Sequence, residues 1–252
     1  MNDLEVEVIK NEKIIKDFFI IEFSLSKPIG AFEPGQFVMI KIPDKSVFLR
    51  RPFTIYDVNG NSLFIMYKIK GAGTRLLSKA FKGVKTQILG PLGKGFNLNI
   101  PDSCKPVVIA GGIGIAGVHL LIKKLKNIPD IFYGCADEME LRLIDDIKSK
   151  TFYTATMDGS YGFKGDVITL FEKHFKNYKK PIHVFACGPL AMYKSFKEKI
   201  PPSIHCEVLL EERMACGLGL CFSCVTKTAD EKEPYKRVCK EGPVFDIWQI
   251  LL

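Results

Sequence analysis

Hydrophobic and polar residues alternate with a period of two in the first part of the chain. This pattern covers residues 4–8, 19–25 and 63–69, and breaks such as Asn59-Gly60-Asn61 separate the runs. Alternation interrupted by glycine, proline and asparagine is typical of antiparallel strands with one buried face. The pattern predicts a small antiparallel β barrel over residues 1–99.

The hydrophobic pattern changes near residue 100. Val107-Val108-Ile109-Ala110 is a continuous apolar run, which is typical of a strand buried on both faces. A glycine-rich stretch follows it, and then a run with apolar residues at helical spacing. Strand-like and helix-like runs continue to alternate as far as Lys199. This alternation predicts a doubly wound α/β domain over residues 100–207.

The glycine-rich stretch is a candidate phosphate-binding turn. Gly112, Gly114 and Gly117 occupy the three glycine positions of G-x-G-x-x-G, between a predicted strand and a predicted helix. That arrangement places a phosphate at a helix N-terminus. The motif alone is weak evidence, and the strand and helix pattern around it is what favours a nucleotide site.

The cysteine pattern near the end of the chain carries the strongest chemical signal. Cys216, Cys221 and Cys224 have the spacing C-x4-C-x2-C, and Cys239 follows after fourteen further residues. This is the plant-type ligand spacing of a [2Fe–2S] cluster. A structural zinc site is the alternative, although zinc sites usually combine two C-x2-C pairs. We therefore expect a small iron–sulfur domain over residues 208–252.

Composition and charge narrow the possible classes of protein. The chain has 252 residues, of which 47% are hydrophobic, and a net charge of +8. Its basic residues are dispersed and no nucleic-acid-binding motif accompanies them, so we expect no nucleic-acid partner. No apolar run is long enough to span a membrane, and the acidic N-terminus does not resemble a signal peptide, so we expect a cytoplasmic protein.

Two polar interruptions of the predicted barrel are candidate flavin contacts. They are the stretches 50–54, which reads Arg-Arg-Pro-Phe-Thr, and 67–74, which ends Gly-Ala-Gly-Thr. In this order they resemble the FAD site of the ferredoxin reductase superfamily. The resemblance implies FAD contacts at Arg51, Pro52, Phe53, Thr54, Tyr67, Lys68, Ile69, Gly73 and Thr74.

The second domain resembles the pyridine-nucleotide domain of the same superfamily. The resemblance implies nucleotide contacts at Gly111, Gly112, Gly114, Cys187, Gly188 and Pro189. Asp137 follows a predicted strand, where a carboxylate could bind a ribose 2′-hydroxyl and repel a 2′-phosphate, which favours NAD over NADP. Helix capping is an equally good explanation of Asp137. Cys187 lacks a suitable base and is not expected to be a nucleophile.

The whole chain resembles the electron-transfer subunit of class 1B dihydroorotate dehydrogenase. The most specific motifs are Glu212-Arg213-Met214-Ala215-Cys216-Gly217 and the Gly242-Pro243-Val244-Phe245 that follows Cys239. The resemblance implies FAD, a [2Fe–2S] cluster and NAD as electron acceptor. It also implies a heterotetramer of two such chains with two FMN-containing catalytic subunits, in pyrimidine biosynthesis. No catalytic residue for dihydroorotate oxidation is then expected in this chain.

Two other classes of function fit the same sequence features. The first is the subunit of a related reductase, either an NAD(P)H:ferredoxin oxidoreductase or a sulfhydrogenase gamma-type chain, which would have the same three-part layout. The second is a redox-sensing module without turnover, although two complete cofactor sites argue against it.

The tail of the chain, residues 245–252, is apolar. It either packs on its own domain or contacts a partner near the cluster.

Overall fold

The structure, a computed structural model, describes residues 2–26, 32–149 and 151–252. Within these ranges the strands form two seven-stranded sheets and one three-stranded sheet. The strands are β1 (Asn2–Ile15), β2 (Phe18–Leu25), β3 (Phe37–Ile40), β4 (Arg51–Thr54), β5 (Asp57–Asn59), β6 (Ser62–Lys68), β7 (Lys85–Leu92), β8 (Lys105–Gly111), β9 (Asp130–Cys135), β10 (Phe152–Thr156), β11 (Phe163–Lys164), β12 (Ile182–Cys187), β13 (His205–Leu209), β14 (Val225–Thr228), β15 (Tyr235–Arg237), β16 (Val244–Asp246) and β17 (Ile250–Leu251). The α-helices are α1 (Ala72–Leu77), α2 (Ile115–Lys124), α3 (Val167–Phe175) and α4 (Leu190–Lys199).

The first sheet is the antiparallel sheet predicted from the period-two pattern. Its strand order is β4-β3-β7-β1-β2-β6-β5. On β2 the side chains of Ile21, Phe23 and Leu25 are buried, and the residues between them are only partly covered. The alternation therefore reports which face of each strand points to the core.

One chain segment, residues 51–59, closes this sheet into a barrel. Its first half, β4, pairs with β3, and its second half, β5, pairs with β6 at the opposite edge of the sheet. Between the halves, the Ile55 N–H donates to the Gln36 carbonyl (3.1 Å) and the Tyr56 N–H donates to the Phe64 carbonyl (3.0 Å). One continuous segment therefore pairs with the backbone hydrogen-bonding groups at both edges of the sheet.

The second sheet confirms the predicted α/β arrangement. Strands β11-β10-β9-β8-β12-β13 are parallel, and β16 adds an antiparallel edge next to β13. Val107, Val108, Ile109 and Ala110 on the central strand β8 are fully buried. Helices cover both faces of such a sheet, which explains why this strand is apolar at every position.

One predicted helix of the second domain is shorter than expected. The helical pattern from Glu138 to Lys148 forms a 3-10 helix only over Glu138–Ile144. After Ile144 the chain forms a turn. Asp146 lies in this turn and accepts a hydrogen bond from the Tyr56 hydroxyl of the barrel (2.6 Å). No helix in the described part of the chain is long and apolar enough to cross a membrane.

The cysteine-containing segment forms the third sheet, β15-β14-β17. The residues between the third and fourth cysteines form the hairpin β14–β15. The apolar tail packs on its own chain, because Ile247 and Ile250 are fully buried and Trp248 donates to the Ile204 carbonyl (2.9 Å). Leu251 alone among the tail's large apolar residues is exposed.

Candidate functional site

A cleft of about 890 Å³ lies where the barrel, the second sheet and the segment before the cysteines meet. It brings together six of the residues predicted to contact FAD, which are Pro52, Phe53, Thr54, Tyr67, Lys68 and Thr74. The other three, Arg51, Ile69 and Gly73, do not line the cleft wall. The cleft therefore contains most of the predicted flavin contacts, and the remaining three lie outside its wall.

Arg51 lies beside the start of α1, and Gly73 makes room for it. A Cβ atom at Gly73 would lie 3.1 Å from Arg51 Nε. The guanidinium donates to the Leu49 carbonyl (2.7 Å). An arginine held against a helix start can bind a phosphate oxygen. Its position next to the cleft fits a contact at the end of an extended ligand.

Thr74 has a structural function in the turn before α1. Its hydroxyl accepts from the N–H groups of Lys70 (2.9 Å) and Gly71 (3.2 Å) and lies 3.2 Å from the Gly71 carbonyl oxygen. The N–H groups of Lys70 and Gly71 are therefore occupied within the turn and are not free to bind a phosphate. The N–H groups in the first turn of α1 remain directed toward the helix start.

Tyr67 and Phe53 form a rigid aromatic wall in the first cleft, which we call the flavin cleft. Their ring centroids are 5.9 Å apart in an edge-to-face arrangement. The Tyr67 hydroxyl donates to Asn11 (3.0 Å), and burial raises the pKa of Tyr67 above its ordinary value, so the phenol is neutral. A fixed, uncharged aromatic surface suits a planar ring system.

A second cleft of about 1370 Å³, which we call the nucleotide cleft, lies at the carboxyl ends of the parallel strands. Ligands of open α/β sheets bind at this edge. The glycine turn after β8 and the turn after β12 line it, and these supply five predicted nucleotide contacts, Gly111, Gly112, Gly114, Gly188 and Pro189. This geometry fits an extended dinucleotide whose phosphates approach bare backbone.

Close packing between the two turns explains the glycine at position 114. A Cβ atom there would lie 2.1 Å from the Cys187 carbonyl oxygen, so no other residue fits without moving the turn. Cys187 itself is buried behind the cleft and does not line it. Burial raises the pKa of the Cys187 thiol, which stays neutral, so it is no nucleophile.

Asp137 caps the 3-10 helix. Its Oδ1 atom accepts from the N–H groups of Met139 (3.0 Å) and Glu140 (3.3 Å). The side chain does not line the second cleft, whereas its neighbours Ala136 and Glu140 do. The capping interpretation of Asp137 therefore describes its contacts in this structure.

The two clefts adjoin and share four lining residues, Lys68, Lys70, Ile113 and Glu211. Of these, Lys68 is a predicted FAD contact, and the other three are not among the predicted contacts. Lys70 Nζ lies 3.5 Å from Glu211 Oε2, and Lys68 Nζ lies 3.5 Å from Glu140 Oε1. Glu211 directly precedes the motif that leads to Cys216, which could have identified it. No local signal identifies Glu140.

The four C-terminal cysteines lie in one loop system and interact in two pairs. Cys216 and Cys221 form one pair, and Cys224 and Cys239 form the other. The Cys239 N–H donates to Cys224 Sγ (3.4 Å), and the Leu218 N–H donates to Cys216 Sγ (3.3 Å). Each iron of a [2Fe–2S] cluster takes two thiolates, so two thiol pairs with backbone donors fit this group.

Backbone conformation allows this loop to wrap closely. Gly217 (φ 69°) and Gly219 (φ 79°) are left-handed, and Phe222 (φ 58°) is left-handed although it has a side chain. Arg237 holds the loop, because its guanidinium donates to the Gly219 carbonyl (2.8 Å) and lies 5.0 Å from the centre of the Phe222 ring.

The environments of the thiols differ across the set. A hydrogen bond from the Ser223 hydroxyl, 3.3 Å from Cys221 Sγ, lowers the pKa of Cys221 to about 6. Burial, followed by the contact with Cys224, raises the pKa of Cys239 to about 12. The exposed Cys221 thiol is thus readily ionised, whereas the Cys239 thiol needs a cation nearby to become a thiolate.

Family models match most of the chain. A model described as FAD-binding domain matches residues 4–191. A model described as the iron–sulfur cluster binding domain of dihydroorotate dehydrogenase B matches residues 211–251. Together they cover the barrel, most of the nucleotide domain and the cysteine loop, and leave out residues 192–210.

Curated relatives match over nearly the full length. The chain is 35% identical to a dihydroorotate dehydrogenase B (NAD(+)), electron transfer subunit from Listeria innocua, over 97% of each chain. It is 38% identical to a protein of the same name from Clostridium acetobutylicum, over 86% of each chain.

Solved structures share the fold. An NADH-dependent reduced ferredoxin-NADP oxidoreductase structure matches with a TM-score of 0.85 and 26% identity, over 98% of this chain and 89% of that chain. Phthalate dioxygenase reductase matches with a TM-score of 0.66 and 18% identity, over 91% and 87% of the two chains, which shows a common fold. From the family models and the curated relatives, this chain belongs to the family of dihydroorotate dehydrogenase B electron-transfer subunits.

Proposed function

We propose that this chain carries electrons from the FMN-containing catalytic subunit of a dihydroorotate dehydrogenase to NAD+, in pyrimidine biosynthesis. It would use a [2Fe–2S] cluster and FAD as carriers. The observation that carries this proposal is the segment between the two candidate sites. Leu209, Glu211 and Met214 line the flavin cleft, and Cys216 follows two residues after Met214.

The cysteine loop also touches the barrel directly. A Cβ atom at Gly217 would lie 2.7 Å from Met39 Cγ and 3.4 Å from Leu92 Cδ1, so the loop packs tightly on the barrel strands. Close packing keeps water out and holds the two candidate sites at a fixed separation. Both conditions favour electron transfer through the protein.

Each group of residues has a distinct function in this proposal. Bound FAD would supply the exchange of single electrons for a hydride, which side chains cannot perform. Arg51 and Gly73 would hold its phosphates, and the aromatic wall would orient its ring system. The cofactor-binding residues we propose are Arg51, Pro52, Phe53, Thr54, Tyr67, Lys68, Ile69, Gly73 and Thr74 for FAD, Gly111, Gly112, Gly114, Gly188 and Pro189 for NAD, and Cys216, Cys221, Cys224 and Cys239 for iron. Asp137 and Cys187 do not line the nucleotide cleft, so they would support the NAD site indirectly, as the cap of the 3-10 helix and as packing behind the glycine turn.

NAD is the proposed nucleotide. The curated relatives carry NAD(+) in their names. Glu140 also lines the nucleotide cleft, and a carboxylate there would disfavour an added 2′-phosphate. The proposed domain bounds remain 1–99, 100–207 and 208–252, although β16 of the last segment pairs with β13 of the second sheet.

The exposed face of the third sheet is the proposed docking surface for the catalytic subunit. Val225, Tyr235 and Leu251 lie on this face, and Leu220 and Phe222 project from the adjoining cluster loop. Leu220 is 75% exposed and Phe222 is 60% exposed, so the apolar surface next to Cys221 lacks a cover within the described chain. Apolar residues beside an exposed electron carrier fit a protein partner.

Docking can be tested with a matched pair of tyrosine variants. Tyr235→Ser should weaken binding of the catalytic subunit at least tenfold, because it removes an aromatic contact from the proposed interface. Tyr161→Ser, which changes an exposed tyrosine on the nucleotide domain, should leave affinity unchanged. Surface plasmon resonance measures affinity, and ultracentrifugation of the complex tests the proposed assembly of two chains of each kind. Equal affinities for both variants would contradict this surface.

Electron transfer can be tested with a cysteine variant. In the complex, Cys221→Ser should abolish dihydroorotate-dependent NAD+ reduction and leave reduction of FAD by NADH largely intact, because only the first route needs the cluster. Cys104→Ser, outside the site, should behave as the unmodified protein. Loss of both activities in a folded, FAD-loaded Cys221→Ser variant would contradict the proposed order of carriers.

A ferredoxin oxidoreductase function is the second candidate. It is favoured by the similarity to the NADH-dependent reduced ferredoxin-NADP oxidoreductase structure, which extends over 98% of this chain. Reduction of ferredoxin by NADH, without dihydroorotate-dependent activity in the presence of a catalytic subunit, would select this alternative.

A further inference from the structure

Two histidines and a glutamate come together at the end of the second sheet where its parallel strands begin, opposite the nucleotide cleft. His183 is near the start of β12, and His205 and Glu207 are near the start of β13. The two histidines are register partners in parallel strands, so their side chains lie on the same face of the sheet. Glu207 is two residues beyond His205 and therefore shares that face.

The three ligand atoms have the spacing of a metal site. Glu207 Oε1 lies 3.0 Å from His183 Nε2 and 3.7 Å from His205 Nε2, and all three side chains present ligand atoms within 4.8 Å of one another. Bonds of about 2.1 Å from zinc to nitrogen and oxygen, in a tetrahedron, separate ligand atoms by roughly 3.4 Å. The two measured distances bracket this value.

The charge of Glu207 requires a positive partner. Its side chain is 10% exposed, and its second oxygen accepts the Asn97 N–H (2.9 Å). Within the described residues, the only basic groups within 4.0 Å of this carboxylate are the two imidazoles. A buried carboxylate is costly without a positive charge, which a protonated histidine or a bound metal ion can supply.

We propose that His183, His205 and Glu207 bind a divalent transition metal ion of the zinc class. Two imidazoles and one carboxylate are a common zinc donor set, and a water molecule would complete the tetrahedron. His205 is 48% exposed and provides the entry path. The Asn97 N–H orients the carboxylate from behind, as an outer hydrogen bond does in metal sites.

The metal would join parts of the fold that are distant in sequence. Asn97 belongs to the connection between the barrel and β8, so the ion would link β12, β13 and this connection. The site shares no residue with the cysteine loop or with either cleft. Metal binding there can therefore be tested separately from the proposed electron-transfer function.

The test uses full-length protein loaded with FAD and iron and carrying no histidine tag. Zinc chloride is added by equilibrium dialysis, and zinc and iron per chain are measured by mass spectrometry. The unmodified protein should bind one zinc ion per chain in addition to its iron. His205→Ala and Glu207→Gln should each weaken zinc binding at least tenfold, because the first removes a ligand and the second replaces a charged ligand oxygen with a weakly binding neutral amide. His174→Ala, at a histidine outside the site, should bind zinc as the unmodified protein does.

X-ray absorption at the zinc edge identifies the ligands. Nitrogen and oxygen neighbours at about 2.0–2.2 Å, without sulfur, are expected for this site. Sulfur neighbours would assign the zinc to vacant cysteines and overturn the proposal. It is equally overturned if the unmodified protein binds no zinc, or if the His205 and Glu207 variants bind it as tightly as the unmodified protein does.

Discussion

Single residues around the cysteines set the properties of the candidate cluster site. Ser223 lies 3.3 Å from Cys221 Sγ, and the Ala215 N–H donates to the same hydroxyl (3.2 Å). The serine is therefore oriented by the backbone and directed at the most exposed of the four thiols. A donor held in this way favours the negatively charged form of its acceptor.

Ser223→Ala should lower the reduction potential of the cluster. A hydrogen bond to a ligand sulfur stabilises the more negative, reduced state, and a contribution of about 1 kcal/mol corresponds to roughly 40 mV for one electron. Redox titration followed by electron paramagnetic resonance measures this shift. Ser223→Thr keeps the hydroxyl and should stay near the original potential. An unchanged potential in the alanine variant would show that the hydroxyl does not act on the cluster.

The sequence could predict those residues whose function depends on local spacing. The spacing motif alone singled out the four cysteines, which the structure places in one loop system. Thr74 differs, because its hydroxyl turns back to two N–H groups of its own turn, which no residue count reveals. Glu140 reaches the nucleotide cleft only because the 3-10 helix places it there.

At the scale of elements, helix caps connect the fold to the nucleotide cleft. Asp166 precedes α3, and its carboxylate accepts from the N–H groups of Ile168 (3.0 Å) and Thr169 (2.9 Å). Burial raises the pKa of Asp166, but the hydrogen bonds from Thr169 and the charge of Lys199 outweigh this, so the pKa lies below its ordinary value. The carboxylate therefore stabilises the helix in its ionised form.

Asp166→Ala should lower the melting temperature by about 2–4 °C at neutral pH, which corresponds to roughly 1 kcal/mol for a lost cap in a chain of this size. A carboxyl with a lowered folded pKa stabilises the fold above its unfolded pKa, near 3.9, and loses this effect as pH falls through the folded value. The deficit should therefore be constant between pH 5 and 8 and shrink below about pH 4. Calorimetry across this range tests both statements.

Asp166→Asn is the matched control for the cap. It keeps an acceptor oxygen for the helix N–H groups and removes only the charge, so its deficit should be clearly smaller than that of the alanine variant. Equal deficits for the two variants would assign the stabilisation to charge and would contradict capping as its main source.

Strand positions were predictable for a physical reason, whereas their partners were not. Alternation in residues 19–25 follows from one face being buried, which a single strand already reveals. The pairing of β16 with β13, and of β17 with β14, depends on contacts across many residues of chain. The tail could therefore be recognised as apolar but not assigned to a neighbour.

At the scale of the whole molecule, the barrel and the nucleotide domain are held together by a polar contact. The Tyr56 hydroxyl donates to Asp146 (2.6 Å), and the Tyr56 ring stacks on His119 of α2 at 3.9 Å between ring centroids. Lys123 of the same helix lies 2.6 Å from Asp57. Residues 56 and 57 belong to the segment that closes the barrel, so one segment serves both purposes.

Tyr56→Phe should loosen the contact between the domains without unfolding either one. Loss of a hydrogen bond worth about 1 kcal/mol would increase local opening roughly fivefold. Hydrogen–deuterium exchange should be faster in α2 and around Asp146. Tyr178→Phe removes a comparable bond to Asp130 (2.8 Å) within the nucleotide domain and should leave α2 unchanged. Identical exchange patterns for the two variants would contradict a special function of Tyr56.

The return of β16 to the second sheet has a consequence for protein engineering. Leu209 and Val244 are paired neighbours, and the Leu210 N–H donates to the Pro243 carbonyl (2.9 Å). The two ends of the cysteine-bearing stretch, residues 211–242, therefore lie next to each other. Its ends are already close together, so another carrier of similar size could be joined at the same two points, provided that it also covers the barrel strands at Met39 and supplies a partner strand for β17.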